Sequence, residues 1–262
     1  MTGAGAVVAL VLLEWTIGSL AAAAWTQSWK VVSRGHFRVL AWCSLVIAIL
    51  ALVANRAAIE GIDAGAQPSL VVALVIGAAL YLVVQYSRTD VPGTVVGASA
   101  AAVGVVALAL AGGVIEGWPA ALAALELIAG AALLGAVTNG MLLGHWYLNQ
   151  PGLKPWALAR LTQLAVIAIV ASGVLGLAAV AKLANASTEG AVLGIPGFGE
   201  SFGVAFFVIW VALLGFTGAV VWGARRCIKI RSIQSATGLY YVALLTAGVS
   251  EFLVRYLMVN AS

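Results

Sequence analysis

The sequence predicts an all-α polytopic membrane protein: eight transmembrane helices in two four-helix units, with N- and C-termini outside. Three observations carry that prediction. Of 262 residues, 63% are hydrophobic and only 8% charged, with a mean hydropathy of +1.11. Apolar stretches of about 18 residues or more, enough to cross ~30 Å of hydrocarbon, recur from end to end. Lys and Arg are confined almost wholly to alternate connections. Thirty glycines suit closely packed helices in lipid, where small residues let backbones approach.

The spans are expected at 6–28, 37–56, 68–88, 94–114, 119–147, 155–182, 202–226 and 232–258. Pro68, Pro119 and Pro155 stand at helix starts, where a missing N–H costs nothing, and DVPG, EGWP and NQPGLKP read as turns. The first span has no basic segment before it, and Lys30, Arg34 and Arg38 follow it, so it is expected to be retained rather than cleaved. The longest connection, Asn185 to Glu200, is Gly-rich and expected outside. Odd-numbered loops hold Lys30, Arg34, Arg38, Arg88, Lys154, Arg160, Arg225, Arg226, Lys229 and Arg231; the other side holds Arg56, Lys182 and Arg255. Basic residues mark the cytoplasmic face, so both termini face away from it. The net charge of +4 reflects these loops; no Lys/Arg run is long enough for a nucleic-acid surface, and nucleic acid is not expected as a partner. The partner implied throughout is the lipid bilayer, in the inner (plasma) membrane of a bacterium.

A repeat divides the chain into units 1–118 and 119–262. Leu13-Glu14 with Gly18 matches Leu125-Glu126 with Gly130, and each is followed towards the cytoplasm by Gly-His-aromatic, at Gly35-His36-Phe37 and Gly144-His145-Trp146. AGGVIE, ending at Glu116, resembles AGVSE, ending at Glu251. Four crossings return the chain to its starting side, so the two units have the same orientation.

Ionisable groups inside the spans are the candidates for function, because a lone charge at bilayer depth costs at least ~2.5 kcal/mol. At 1.5 Å per residue, Glu14 and Glu126 lie ~12 Å from the outer end of their helices and Glu251 ~13 Å. Three carboxyls therefore share one layer, with Arg255 a turn nearer the outside on the face of Glu251. They form either a polar, proton-exchanging site or three separate interhelical contacts. His36 and His145 are the alternative haem ligands, a bis-imidazole pair for one haem b, or else anchor helix ends at the interface. Cys43 and Cys227 are not in CxxC spacing, and no metal site is expected; both are read as buried or idle thiols. Thr138, Asn139, Gln85 and Gln163 are expected to hydrogen-bond between helices. Phosphate-loop and HExxH patterns do not occur.

The closing segment Glu251-Phe-Leu-Val-Arg255-Tyr256-Leu257 resembles the last helix of the membrane-anchor subunits of polysulfide and dimethyl-sulfoxide reductases (the NrfD/DmsC-like group). That helix typically reads G-E-x-x-x-R-Y-L; here Gly248 stands three residues before Glu251. The resemblance implies an integral membrane subunit of an electron-transfer oxidoreductase complex. Such a subunit has no redox centre of its own, binds quinone or quinol near the outer face, and docks an iron–sulfur partner there. By that motif Glu251 and Arg255 would contact the quinone; Glu14 and Glu126, which enter from their depth alone, would join Glu251 in exchanging its proton. A b-type cytochrome using His36 and His145 and a small proton- or ion-coupled transporter are the alternatives. The charge distribution predicts that reporter fusions place Ser33 and Lys229 inside and Ala186 outside; a Lys229 fusion read outside would overturn the shared depth of the carboxyls.

Overall fold

Helices built from Ala, Leu, Val and Gly are apolar on every side, and lipid is as apolar as they are. What associates them is van der Waals contact where small side chains let backbones come close. The computed structural model of the chain describes residues 1, 3–115, 118–150, 152–178 and 201–260. Within these it forms α1 (Gly3–Ser28), α2 (Arg34–Ala58), α3 (Gln67–Val84), α4 (Val91–Val114), α5 (Ala120–Asn149), α6 (Trp156–Ala178), α7 (Ser201–Lys229) and α8 (Ile233–Asn260). All eight are long and apolar enough to cross a membrane. The Asn185–Glu200 connection and Glu116 of the repeat lie outside the described residues.

Two boundaries differ from expectation for local reasons. The third helix was expected to run to residue 88 but ends at Val84. The N–H groups of Gln85, Tyr86 and Ser87 turn back to carbonyls three residues earlier, while the Gln85 side chain is drawn inward to Gln27 at 2.9 Å. The second helix begins at Arg34 behind an extended Ser33, so His36 belongs to α2. Arg34 ties this start to the α3–α4 turn through Asp90, at 3.1 Å, and the Ser87 carbonyl.

Each set of four consecutive helices closes a ring. α1 packs on α2 and α4, α2 on α3, and α3 on α4; α5 packs on α6 and α8, α6 on α7, and α7 on α8. The rings meet through α1 on α5, α4 on α5, α1 on α8 and, more lightly, α2 on α5; exchanging α1–α4 for α5–α8 reproduces the first three. One apolar core fills the first ring and another the second, with α1, α5 and α8 lending residues to both. Of the apolar stretches, 78% of α1 and 61% each of α5 and α8 are buried, against 28% to 44% for the other five. These three are the central helices.

The α1–α5 contact is backbone against backbone. A Cβ on Gly18 would lie 2.7 Å from the Ala131 carbonyl carbon and 2.9 Å from the Gly135 nitrogen. Polar groups lock the same crossing: Trp15 Nε1 donates to Thr138 Oγ1 at 2.8 Å, and Asn139 Nδ2 donates to the carbonyls of Gly135 and Ser19 at 2.9 and 3.3 Å. Gly112 gives α4 the same closeness to α5, where a Cβ would stand 2.8 Å from the Ala124 nitrogen. Asn55 and Gln67 join α2 to α3 by reciprocal amide bonds of 2.9 and 3.1 Å, and Tyr240 joins α8 to α6 through Thr162 at 2.7 Å. Gln163, expected to bond between helices, is exposed on α6. Cys43 is also exposed, and Cys227 is partly so; both are free thiols, and of the two readings, buried or idle, neither is buried.

The crossing predicts a graded mutational response. Gly18→Leu and Gly135→Leu should each destabilise the detergent-solubilised protein by at least ~1–3 kcal/mol, the usual cost of overpacking. Gly5→Leu, where a Cβ would meet nothing within 4 Å, should leave the melting temperature unchanged.

Candidate functional site

The side chains expected at one depth meet. Glu14 comes from α1, Glu126 from α5, and Glu251 and Arg255 from one face of α8; all four are buried. Arg255 is the hub. Its Nε lies 2.7 Å from Glu14 Oε1, its Nη2 lies 2.8 Å from Glu251 Oε2, and Nη2 also donates to the backbone carbonyl of Glu126 at 2.9 Å. Nη1 is directed at the Met258 sulfur, at 4.0 Å. One guanidinium thus bridges all three central helices, using the fixed fork of donors that an ammonium lacks.

Space for this arrangement comes from Gly130. A Cβ there would lie 2.5 Å from Glu251 Oε2, 2.6 Å from Arg255 Nη2 and 2.9 Å from Glu14 Oε1. Gly130 recurs in the repeat beside Glu126, but the repeat alone does not mark its missing side chain as what admits the other residues. An i+4 spacing from Glu126, which puts both on one face of α5, was the available signal.

The charges do not balance within the cluster. Three carboxyls face one guanidinium, and both oxygens of Glu126, Glu14 Oε2 and Glu251 Oε1 have no hydrogen-bond partner among the described residues. Burying a carboxylate without a countercharge or donor is strongly unfavourable. Arg255 compensates one negative charge, so the site is neutral only when it also holds two protons or other cations. Glu126 is the extreme case: its backbone carbonyl is bound to Arg255 while its carboxyl has no donor among the described residues.

The histidines are placed differently from each other. His36 is buried at the start of α2, its ring against Phe37 and Trp146 at centroid distances of 5.0 and 6.0 Å, with Nε2 unpartnered among the described residues. His145 is exposed in the last turns of α5. The Gly-His-aromatic motifs therefore occupy different helical contexts: α1 stops at Ser28, with Lys30 in a left-handed conformation at φ 55°, whereas α5 continues unbroken to Asn149. Among the described residues no group of three or more His, Cys, Asp or Glu has a metal-holding arrangement.

Fold and site together define a polytopic α-helical membrane protein with an ionisable cluster buried at the junction of two four-helix rings. No family model, curated protein or solved structure matches the chain.

The hub geometry predicts unequal costs. Arg255→Ala leaves buried carboxyls without their cation and should cost ~3–5 kcal/mol, the range for breaking a buried pair. Glu251→Gln keeps shape and an acceptor oxygen and should cost less. The yield and melting temperature of monodisperse protein measure both; equal tolerance of the two changes would deny Arg255 its role as hub.

Proposed function

We propose that this chain is the membrane subunit of an electron-transfer oxidoreductase complex, in which the Arg255-centred carboxyls exchange the proton of a quinol bound near the outer face. The single observation that carries the proposal is the union of Glu14, Glu126 and Glu251 around one guanidinium, with carboxyl oxygens left unpartnered. A site that is neutral only with protons aboard can take up and release them, and Arg255 holds two of the acids in place while it does so. The quinol comes from the likeness of the Glu251–Leu257 segment to the NrfD/DmsC-like closing helix. In this reading Arg255 or Glu251 contacts a quinone oxygen, and an iron–sulfur subunit on the outer face takes the electrons. The membrane is the inner membrane of a bacterium, and haem b on His36 and His145 is not required.

A second reading has its own support. The cluster lies where two rings of the same neighbour pattern meet, and transporters commonly bind coupling ions at a repeat interface. There the unpartnered oxygens would take a proton or other cation in exchange for transport.

The test is quinol-dependent reduction of an artificial acceptor by the chain isolated with its co-purifying polypeptides. Glu251→Gln should lower turnover by roughly 10²-fold, the scale of a lost proton-transfer group, with assembly verified separately. An assembled Glu251→Gln complex working at the wild-type rate refutes the proposal. Substrate-driven proton flux in proteoliposomes of the chain alone, without quinol, favours the transporter. A Soret band lost in both His36→Ala and His145→Ala favours the cytochrome.

A further inference from the structure

α1 is enclosed through most of its outer half and centre, yet it opens along one stripe near the cytoplasm. Residues 16 to 20 are all buried, whereas Ala21, Trp25 and Ser28, at helical spacing, are exposed. The opening is flanked by two open grooves. On one side of Trp25 a cavity of about 300 Å³ runs between α1, Ala132 of α5 and Leu164 of α6. On the other a cavity of about 370 Å³ runs between α1 and Thr94, Ala98 and Ala101 of α4. The two share Ala21 and Trp25, so they form one forked cleft at the junction of the rings, within the size range of small-molecule pockets. Small side chains leave the room, and its walls are almost wholly apolar.

The cytoplasmic rim of this cleft carries an uncompensated cation on an aromatic platform. Trp25 meets Trp29 edge-on at 4.8 Å, and Trp29 meets Trp156 at 5.2 Å. The Arg160 guanidinium lies 4.7 Å above Trp156 and 5.6 Å from Trp29. Arg160 is exposed, and none of the ion pairs among the described residues includes it. It stands one helical turn from Leu164, on the same face, so charge and cavity adjoin. A cation held by aromatic faces keeps its outward N–H groups available to an anion.

We infer that this cleft binds one anionic diacyl phospholipid of the cytoplasmic leaflet, with its acyl chains on the two sides of Trp25 and its phosphate at Arg160. The occupant follows from the features together: two apolar channels meeting at one rim, an ion-pair-free guanidinium at that rim, and a predominantly basic cytoplasmic face whose Asp90 is paired with Arg34. The binding is independent of the quinol reading, whose cluster lies in the outer half of the membrane.

The probe is tryptophan quenching by brominated lipid in reconstituted full-length protein, with the Trp25 contribution isolated as the difference from Trp25→Phe. Brominated phosphatidylglycerol should quench that component at a lower mole fraction than brominated phosphatidylcholine, by roughly fivefold, the preference that one basic side chain gives to an anionic surface. Arg160→Gln should abolish the preference, Arg160→Lys should keep most of it, and Arg225→Gln should leave it intact. Ala21→Leu, which adds bulk where the two cavities join, should reduce quenching by both lipids. Equal quenching of the wild-type protein by both lipids overturns the proposal without need of any variant. So does a phosphatidylglycerol preference unaltered in folded Arg160→Gln, or displacement of the brominated lipid by low mole fractions of a prenyl quinone.

Discussion

A guanidinium cannot lie unpaired in hydrocarbon, and Arg255 is wholly buried. Everything central to this protein is arranged to meet that constraint. Glu251 supplies a partner from the same helix, Glu14 one from another, and the Glu126 carbonyl a third contact. Because these come from α8, α1 and α5, satisfying one side chain fixes the mutual position of three helices. Lipid offers no hydrophobic force to do this, so the polar hub and the Gly18–Gly135 backbone contact share the work of specifying the junction. The hub gives direction and the glycines give distance.

The constraint is met with carboxyl groups to spare, more than fastening the helices requires. A fastening would need one carboxylate per guanidinium. Elsewhere the chain shows what economical fastening looks like: Asn55 and Gln67 exchange both amide bonds, and Gln27, Gln85 and Tyr81 close a small network. Those neutral groups carry no surplus charge. The cluster does.

The eight helices were legible because hydropathy alone defines a span. The depth of Glu14, Glu126 and Glu251 was legible too, since a helix rises by a fixed amount per residue. Direction around the helix axis was not. In a soluble helix the polar face marks the outside, but here both faces are apolar, so the central role of α1, α5 and α8 could not be read from pattern. The same limit explains the histidines: they share a side of the membrane, yet His36 points inward to Phe37 and Trp146 while His145 is exposed. It also explains Gly130, whose importance lies in what occupies the space beside it, and the forked cleft, since alanines facing a gap look like alanines facing a neighbour.

The chain order of the hub has a consequence for how the protein is made. Glu14 enters the membrane on the first helix to be synthesised, and Arg255 arrives only with the eighth. Through the intervening synthesis Glu14 and Glu126 have no Arg255 to meet, so the contacts that join them to α8 form last. Completion of α8 then delivers the one group that lets α1, α5 and α8 close together. The residue at the centre of the finished structure is thus also the last of its cluster to be made.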